Sequence, residues 1–266
     1  MSNEAVEINF GNLPTMLFRR SAPHSKYFFA DQWWIDGEYV HELPVGLTFV
    51  SHVRSASLVL DIGANLGWYA LLAMRSNPAV PVHCFEMDAV NFRLLTENLE
   101  LNQASNVTAH QLAVSDCKGV STYSDTLRQG SDSRSGFHLN SSALSDVDSL
   151  CVDTVSLDSQ FQSLDGAVIK IDVEGAEQNV LLGARRLLEV STRVALFIEV
   201  HAEISHFGYS SQDLIRFLLQ CGCQVSQITN MRSSDCAAVI ETVNPTDELP
   251  LPQALIYATK GDWCTC

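Results

Sequence analysis

The chain has 266 residues, of which 46% are apolar and 18% charged, enough to bury a full core and ordinary for one globular α/β domain. A formal charge of −15, with Arg19-Arg20 and Arg185-Arg186 as the adjacent basic pairs, leaves no basic stripe for a phosphate backbone and excludes nucleic acid as an expected partner. The opening MSNEAVEINF has neither the basic nor the apolar part of a leader, and no window approaches the ~18 uninterrupted apolar residues of a membrane span, so a cytoplasmic protein is expected.

Residues 1–55 carry the aromatic cluster YFFADQWWIDGEY, which has no clean period. Aromatics dominate both cores and pockets, so this N-terminal extension reads either as a cap over an acceptor site or as packing for the core. From about residue 57 the pattern changes. SLVLDIG, VPVHCFE and VTAHQLAV are short apolar runs separated by helical patterns, the second helix marked by Phe92, Leu95 and Leu99 at 3.6-residue spacing. Ser124 to Ser149, rich in Ser, Asp and Gly, cannot bury enough apolar surface to be core; it is expected as a loop on the ligand side, a candidate mobile lid.

GAVIKIDV, RVALFIEV and CQVSQIT follow, separated by the helical segments AEQNVLLGARRLLE and SQDLIRFLLQCG, with ALIYATK last. Strands alternating with helices of this length imply parallel strands, right-handed crossovers and helices on both faces of one sheet. Ligands then sit beyond the strands' carboxyl ends. The eight cysteines do not suggest a metal or disulfide framework, because Cys221/Cys223 and Cys264/Cys266 are C-x-C pairs and the others are scattered. Reduced thiols are expected.

LVLDIGANLGWYAL is strand, glycine turn, then helix, with Asp61, Gly63, Asn65 and Gly67 in a D-x-G-x-N-x-G frame. Gly63 permits the tight turn, and Gly67 permits close approach of backbone to ligand and of helix to sheet. The frame lacks the second glycine of the dinucleotide fingerprint and the lysine of a P-loop, while Asp61 suits a ligand carrying an amine and a positive centre. The next strand ends at Glu86, about 20 residues on, where a carboxylate can accept both ribose hydroxyls. AVSD, Ala113 to Asp116, is expected at the end of the third strand. Amine, ribose and base bound in sequence along three adjacent strand ends describe S-adenosylmethionine. The donor-binding candidates are Asp61, Gly63, Ala64, Asn65, Gly67, Glu86, Met87, Ala113, Val114 and Asp172.

DIGANLG, FEMD with NFRLLTENLELN, AVSD, VDTVSLDS and above all IKIDVEGAE resemble the FkbM-type methyltransferases over roughly Leu58 to Thr229. The resemblance implies a class I methyltransferase (Rossmann-like) α/β fold. Its sheet is seven-stranded and mostly parallel, with an antiparallel last strand and helices on both faces. It makes residues 56–266 the S-adenosylmethionine-dependent domain and implies methyl transfer to a hydroxyl oxygen of a small-molecule acceptor of secondary-metabolite, sugar or lipid type.

Alternation along VIKIDV puts Lys170 and Asp172 on one face and Ile169, Ile171 and Val173 on the other. Asp172 and Glu174 are expected to face the donated methyl, with Lys170 pairing with one of them or touching the acceptor. Glu177 reads as a structural first-turn carboxylate. Glu199 and His201 end the neighbouring strand and point to one side, so His201, with an ordinary pKa near 6.5, is the candidate general base. That reading needs no metal. Two alternatives stand beside it: a metal-dependent methyltransferase in which Asp172, Glu174, Glu199 and His201 hold Mg²⁺ or a similar ion, and a non-catalytic nucleoside-binding module.

Overall fold

The computed structural model describes residues 5–20, 28–125, 137–139, 149–250 and 253–263. Its main sheet contains β1 (Leu58–Ile62), β2 (Val82–Phe85), β3 (Val107–His110), β4 (Ala167–Ile171), β5 (Val194–His201), β6 (Gln224–Ile228), β7 (Ile240–Thr242) and β8 (Gln253–Lys260). They stand in the order β7-β6-β8-β5-β4-β1-β2-β3. The run β3, β2, β1, β4, β5 is parallel, and β8 lies antiparallel to both β5 and β6. Among the described residues the sheet therefore has eight strands rather than the expected seven. The addition is β7, an antiparallel edge on β6 whose three residues are all exposed, so it buries no face and leaves no hydrophobic period to read.

Among the described residues this sheet is flanked by α1 (Leu43–Val53), α2 (Trp68–Ser76), α3 (Ala89–Leu101), α4 (Glu177–Leu182), α5 (Arg185–Val190) and α6 (Ser211–Gln220), with a four-residue helix at Leu157–Gln160 joining the core through Leu157. The pleat divides the core. Val59, Cys84, Val168 and Phe197 pack with apolar side chains of α1, α2 and α3, while Leu60, Ile62, Ile169, Ile171 and Leu196 pack with those of α4, α5 and α6. Both faces of the parallel strands are thus covered. AEQNVLLGARRLLE forms α4 and α5 rather than one helix. The break is at Gly183, where the chain passes so close to Ser115 that a Cβ would lie 2.0 Å from its carbonyl oxygen.

VTAHQLAV also divides. Its main-sheet strand stops at His110, and Ala113–Val114 leaves to pair with Ser149–Val155 in a second sheet, so AVSD is not the end of the third strand. That sheet also holds Gly119–Asp125 and Phe137–Leu139. The remainder of 124–149 lies outside the described residues, and the lid expectation lies outside them too. Cys264 and Cys266 fall there as well; the six cysteines among the described residues are free thiols. Among the described residues no helix is long and apolar enough to cross a membrane.

The N-terminal segment is tied to the core by its aromatic residues. Phe10, Phe18, Phe28 and Tyr39 surround Trp68 of α2 with ring centroids 5.1, 6.0, 5.7 and 5.1 Å away. Such tilted and edge-to-face pairs add about 0.5–1.5 kcal/mol each beyond area burial. From β1 the chain runs to β2 on one side, whereas β4 pairs on the other. The crevice of this α/β sheet therefore opens at the carboxyl ends of β1 and β4.

Candidate active site

At the end of β1 the chain turns through Gly63–Gly67 into α2. Gly63 has φ +80, and a Cβ there would stand 1.9 Å from the carbonyl oxygen of Asp172. The glycine thus lets the β1 turn press against the exit of β4. Gly67, at φ +88, caps the start of α2, and a Cβ there would meet Leu95 Cδ1 at 2.6 Å, so the glycine lets α2 and α3 approach closely. The N–H groups of Gly63 and Ala64 both donate to Phe85 O at 2.9 Å.

Two carboxylates organise this turn. Asp61 Oδ2 accepts the Ala70 N–H at 2.9 Å, which seats the first turn of α2. Glu86 accepts from Asn65 N–H through Oε2 and from Asp88 N–H through Oε1, both at 2.8 Å, and so ties the ends of β1 and β2 together. Burial pushes each acid up to about 7. A carboxylate has about four lone-pair sites, so Glu86 keeps acceptor capacity beyond these two bonds. Beside it Met87 and Val173 both pack against a small apolar cluster of Ala113, Val152 and Ala176, while Val114 belongs to a larger core cluster.

The charged residues of β4 and β5 meet on one face. Lys170 is buried with its Nζ 3.1 Å from Asp172 Oδ2, 3.6 Å from Glu199 Oε2 and 5.1 Å above the ring of Tyr69. Tyr69 donates to Glu42 Oε2 at 2.6 Å, and Arg232 joins Glu42 Oε1 at 2.5 Å to Glu199 Oε1 at 2.8 Å. His201 Nδ1 lies 2.9 Å from Glu177 Oε1, which also accepts the Gly175 N–H. That oxygen is therefore an acceptor, and Nδ1 carries a proton. The opposite nitrogen, Nε2, faces Glu174 Oε2 at 3.4 Å, Asp172 Oδ1 at 3.7 Å and Glu199 Oε1 at 3.8 Å.

The side chains of Asp172 and Glu174 are 32% and 22% exposed, whereas those of Lys170, His201 and Glu199 are 1%, 4% and 3% exposed. A ligand at the strand ends would touch the first two. Burial works against the Lys170 charge, but Asp172, Glu199 and Glu42 outweigh it and hold its pKa well above the lysine range. Burial would raise Asp172, yet Lys170 and His201 keep it below its ordinary value. Burial, with the charges of Asp172 and Glu42, pushes Glu199 up to about 8. His201 departs from the sequence expectation. Burial alone would lower it, but the Glu177 hydrogen bond and the charges of Glu174 and Asp172 push it up to about 10. At neutral pH it is an imidazolium, not a base poised near 6.5.

All four expected catalytic residues, Lys170, Asp172, Glu174 and His201, come together here, but Lys170 serves its carboxylates from beneath and does not reach outward. Glu177 is more than a helix-end carboxylate, since it is fully buried and sets the His201 ring. Glu42, Tyr69 and Arg232 had no sequence signal for this role, apart from Tyr69 lying directly behind the glycine turn.

Glu42 also carries a pH prediction. Burial opposes its charge, but Arg232 prevails and lowers its pKa from 4.5 to about 2. A depressed acid contributes stability above its unfolded pKa and loses it as pH falls through the folded one. Wild type is therefore expected to exceed Glu42→Gln in melting temperature at pH 6, with the gap closing between about pH 4.5 and 2. A gap that does not change over that range would remove Glu42 from the ionised network.

The family described as "Methyltransferase FkbM domain" matches residues 61–225, more than half of the chain. Over 91 residues the chain is 35% identical to a "31-O-demethyl-FK506 methyltransferase FkbM" of Streptomyces tacrolimicus, covering 34% of each protein. It is 26% identical over 144 residues to "Methyltransferase 1" of Beauveria bassiana, covering 48% of this chain and 58% of the relative. The matches thus span a third to somewhat over half of these relatives' own lengths. Among solved structures, M. jannaschii TYW2 in complex with AdoMet covers 97% of this chain and 87% of its own at TM-score 0.45 and 9% identity.

Proposed function

The chain belongs to the FkbM methyltransferase family, and from that premise we propose that it moves the methyl group of S-adenosylmethionine to a hydroxyl oxygen of a small molecule. One observation carries the reading: the glycine turn of β1, the Glu86 carboxylate of β2 and the Asp172–Glu174–His201 group of β4 and β5 share one crevice, pressed together where Gly63 meets Asp172. The amino-acid end of the donor lies over Asp61–Gly67, the ribose hydroxyls bond to Glu86, and the base rests by Met87, Ala113 and Val114. The acceptor hydroxyl then meets the donated methyl at Asp172 and Glu174. The formal charge of −15 supports a small-molecule acceptor over a nucleic acid. The N-terminal segment, which brings Glu42 to the same network, is the part placed to select the acceptor.

The hydroxyl oxygen attacks the methyl carbon in line with the C–S bond. As the C–O bond forms, the C–S pair moves onto sulfur and leaves neutral S-adenosylhomocysteine. The hydroxyl proton passes to Asp172, the outward carboxylate, because His201 already carries its own. Orientation supplies the larger share of the rate, up to about 7–11 kcal/mol, against ~10²- to 10⁴-fold from proton removal.

Incubation of the enzyme with methyl-labelled S-adenosylmethionine and an extract of hydroxylated small molecules tests the reading. A labelled methyl ether with stoichiometric S-adenosylhomocysteine is expected; donor binding with no turnover would leave a nucleoside-binding module instead. For the donor site, Glu86→Ala is expected to weaken S-adenosylmethionine about 10- to 100-fold, the worth of a charge-assisted hydrogen-bonded pair. Calorimetric titration of the folded variant reads this directly, and unchanged affinity would take the ribose away from Glu86.

A further inference from the structure

We propose that Asp172, Glu174 and His201 form a divalent-cation site at the acceptor end of the crevice. One ligand atom from each, His201 Nε2 and a carboxylate oxygen of Asp172 and of Glu174, lies within 4.8 Å of the other two. The separations from Nε2 are 3.4 Å to Glu174 Oε2 and 3.7 Å to Asp172 Oδ1. An ion about 2.1 Å from each atom would subtend angles of about 110° and 125° at these separations, within the range of a four- or five-coordinate centre.

Two independent features point to an ion rather than to a chance gathering of acids. First, His201 is 97% buried, and its Nε2 is aimed at the partly exposed Asp172 and Glu174, at ion-pair distance from both. Second, the buried Glu177 accepts the Nδ1 proton at 2.9 Å, the outer carboxylate that orients a metal-binding imidazole and leaves its far nitrogen to the ion. Asp172 is divided in the same sense, with Oδ2 on Lys170 at 3.1 Å and Oδ1 turned to His201. Glu199 stands outside this group, with Oε1 hydrogen-bonded to Arg232 at 2.8 Å and Oε2 3.6 Å from Lys170 Nζ.

Three protein ligands and an open position make a catalytic rather than a structural site. One imidazole nitrogen with two carboxylate oxygens suits Mn²⁺, Zn²⁺ or Mg²⁺ better than a soft ion. What the ion would do rests on the methyl-transfer reading: bound in place of the Nε2 proton that His201 otherwise carries, it would offer its open position to the acceptor hydroxyl and lower the pKa of that O–H, easing the passage of the proton to Asp172. Binding itself does not depend on that reading.

The test is titration of Mn²⁺ alone into the full-length protein after exhaustive chelation, followed by water-proton relaxation and calorimetry. One equivalent is expected to bind, and His201→Ala, Asp172→Asn and Glu174→Gln are each expected to weaken it at least 10-fold. Glu177→Gln is expected to weaken it about 10- to 100-fold through the ring it orients. Glu189→Gln, on the exposed face of α5, should change nothing. Glu174 is partly exposed, so its variant reports even where His201→Ala fails to fold. No bound Mn²⁺, or binding untouched by Glu174→Gln and Asp172→Asn, overturns the site. Full methyl transfer after chelation with no bound Mn²⁺ overturns it while leaving the methyl-transfer reading intact; Mn²⁺ held by these residues without methyl transfer does the reverse.

Discussion

Lys170→Met is expected to lower stability by about 3–5 kcal/mol, the cost of breaking a buried ion pair from one side. Methionine keeps most of the lysine stem, so the loss isolates the charge rather than the volume. Without the ammonium, Asp172 and Glu199 face each other and Glu42 with Arg232 and His201 left to offset them, since Lys170 Nζ now sits 3.1 and 3.6 Å from the first two. Urea unfolding at neutral pH is the measurement. A change within about 0.5 kcal/mol, the range of ordinary surface substitutions, would mean that Lys170 does not hold the cluster together.

Asp172→Asn is expected to lower turnover ~10²- to 10⁴-fold with donor affinity nearly unchanged, the signature of an interaction made in the transition state. The amide has nearly the same shape as the carboxylate, but it neither accepts the hydroxyl proton nor carries the charge. Lys170 and His201 hold Asp172 ionised against its burial, and it is one of the two carboxylates of the cluster that reach solvent. Single-turnover kinetics with labelled donor separate the chemical step from binding. A variant with near-normal turnover would move the proton acceptor to Glu174.

Much of this was legible in the chain because the physics is local. A period of two along VIKIDV put Lys170 and Asp172 on one face, and the register of β4 with β1 and β5 agrees, setting Lys170 beside Asp61 and Phe197. The runs that became β1, β2, β4 and β5 are buried on both faces and so read as short apolar stretches. The errors arose where burial and pattern part company. VTAHQLAV is continuously strand-like in composition, yet its last residues are recruited by a second sheet through partners some 40 residues away. The break between α4 and α5 falls at Gly183, where the chain passes close to the Ser115 carbonyl, a contact no helical periodicity carries.

The site divides in the same way. Asp172, Glu174 and His201 were found because they sit at strand ends. Glu42 and Arg232 are 190 residues apart in the chain and meet only in the fold. The protonation of His201 depended on three carboxylates whose directions the sequence does not specify. Glu177 looked like a helix-end charge until the ring it orients was in place.

The most direct test of the central claim is a crystal structure of the protein with S-adenosylhomocysteine. The account predicts the homocysteine end over Gly63–Gly67, the ribose hydroxyls on Glu86, and the sulfur turned toward Asp172 and His201 with space for an acceptor between them. A nucleoside bound away from this crevice, or a sulfur facing away from Asp172 and His201, would contradict it.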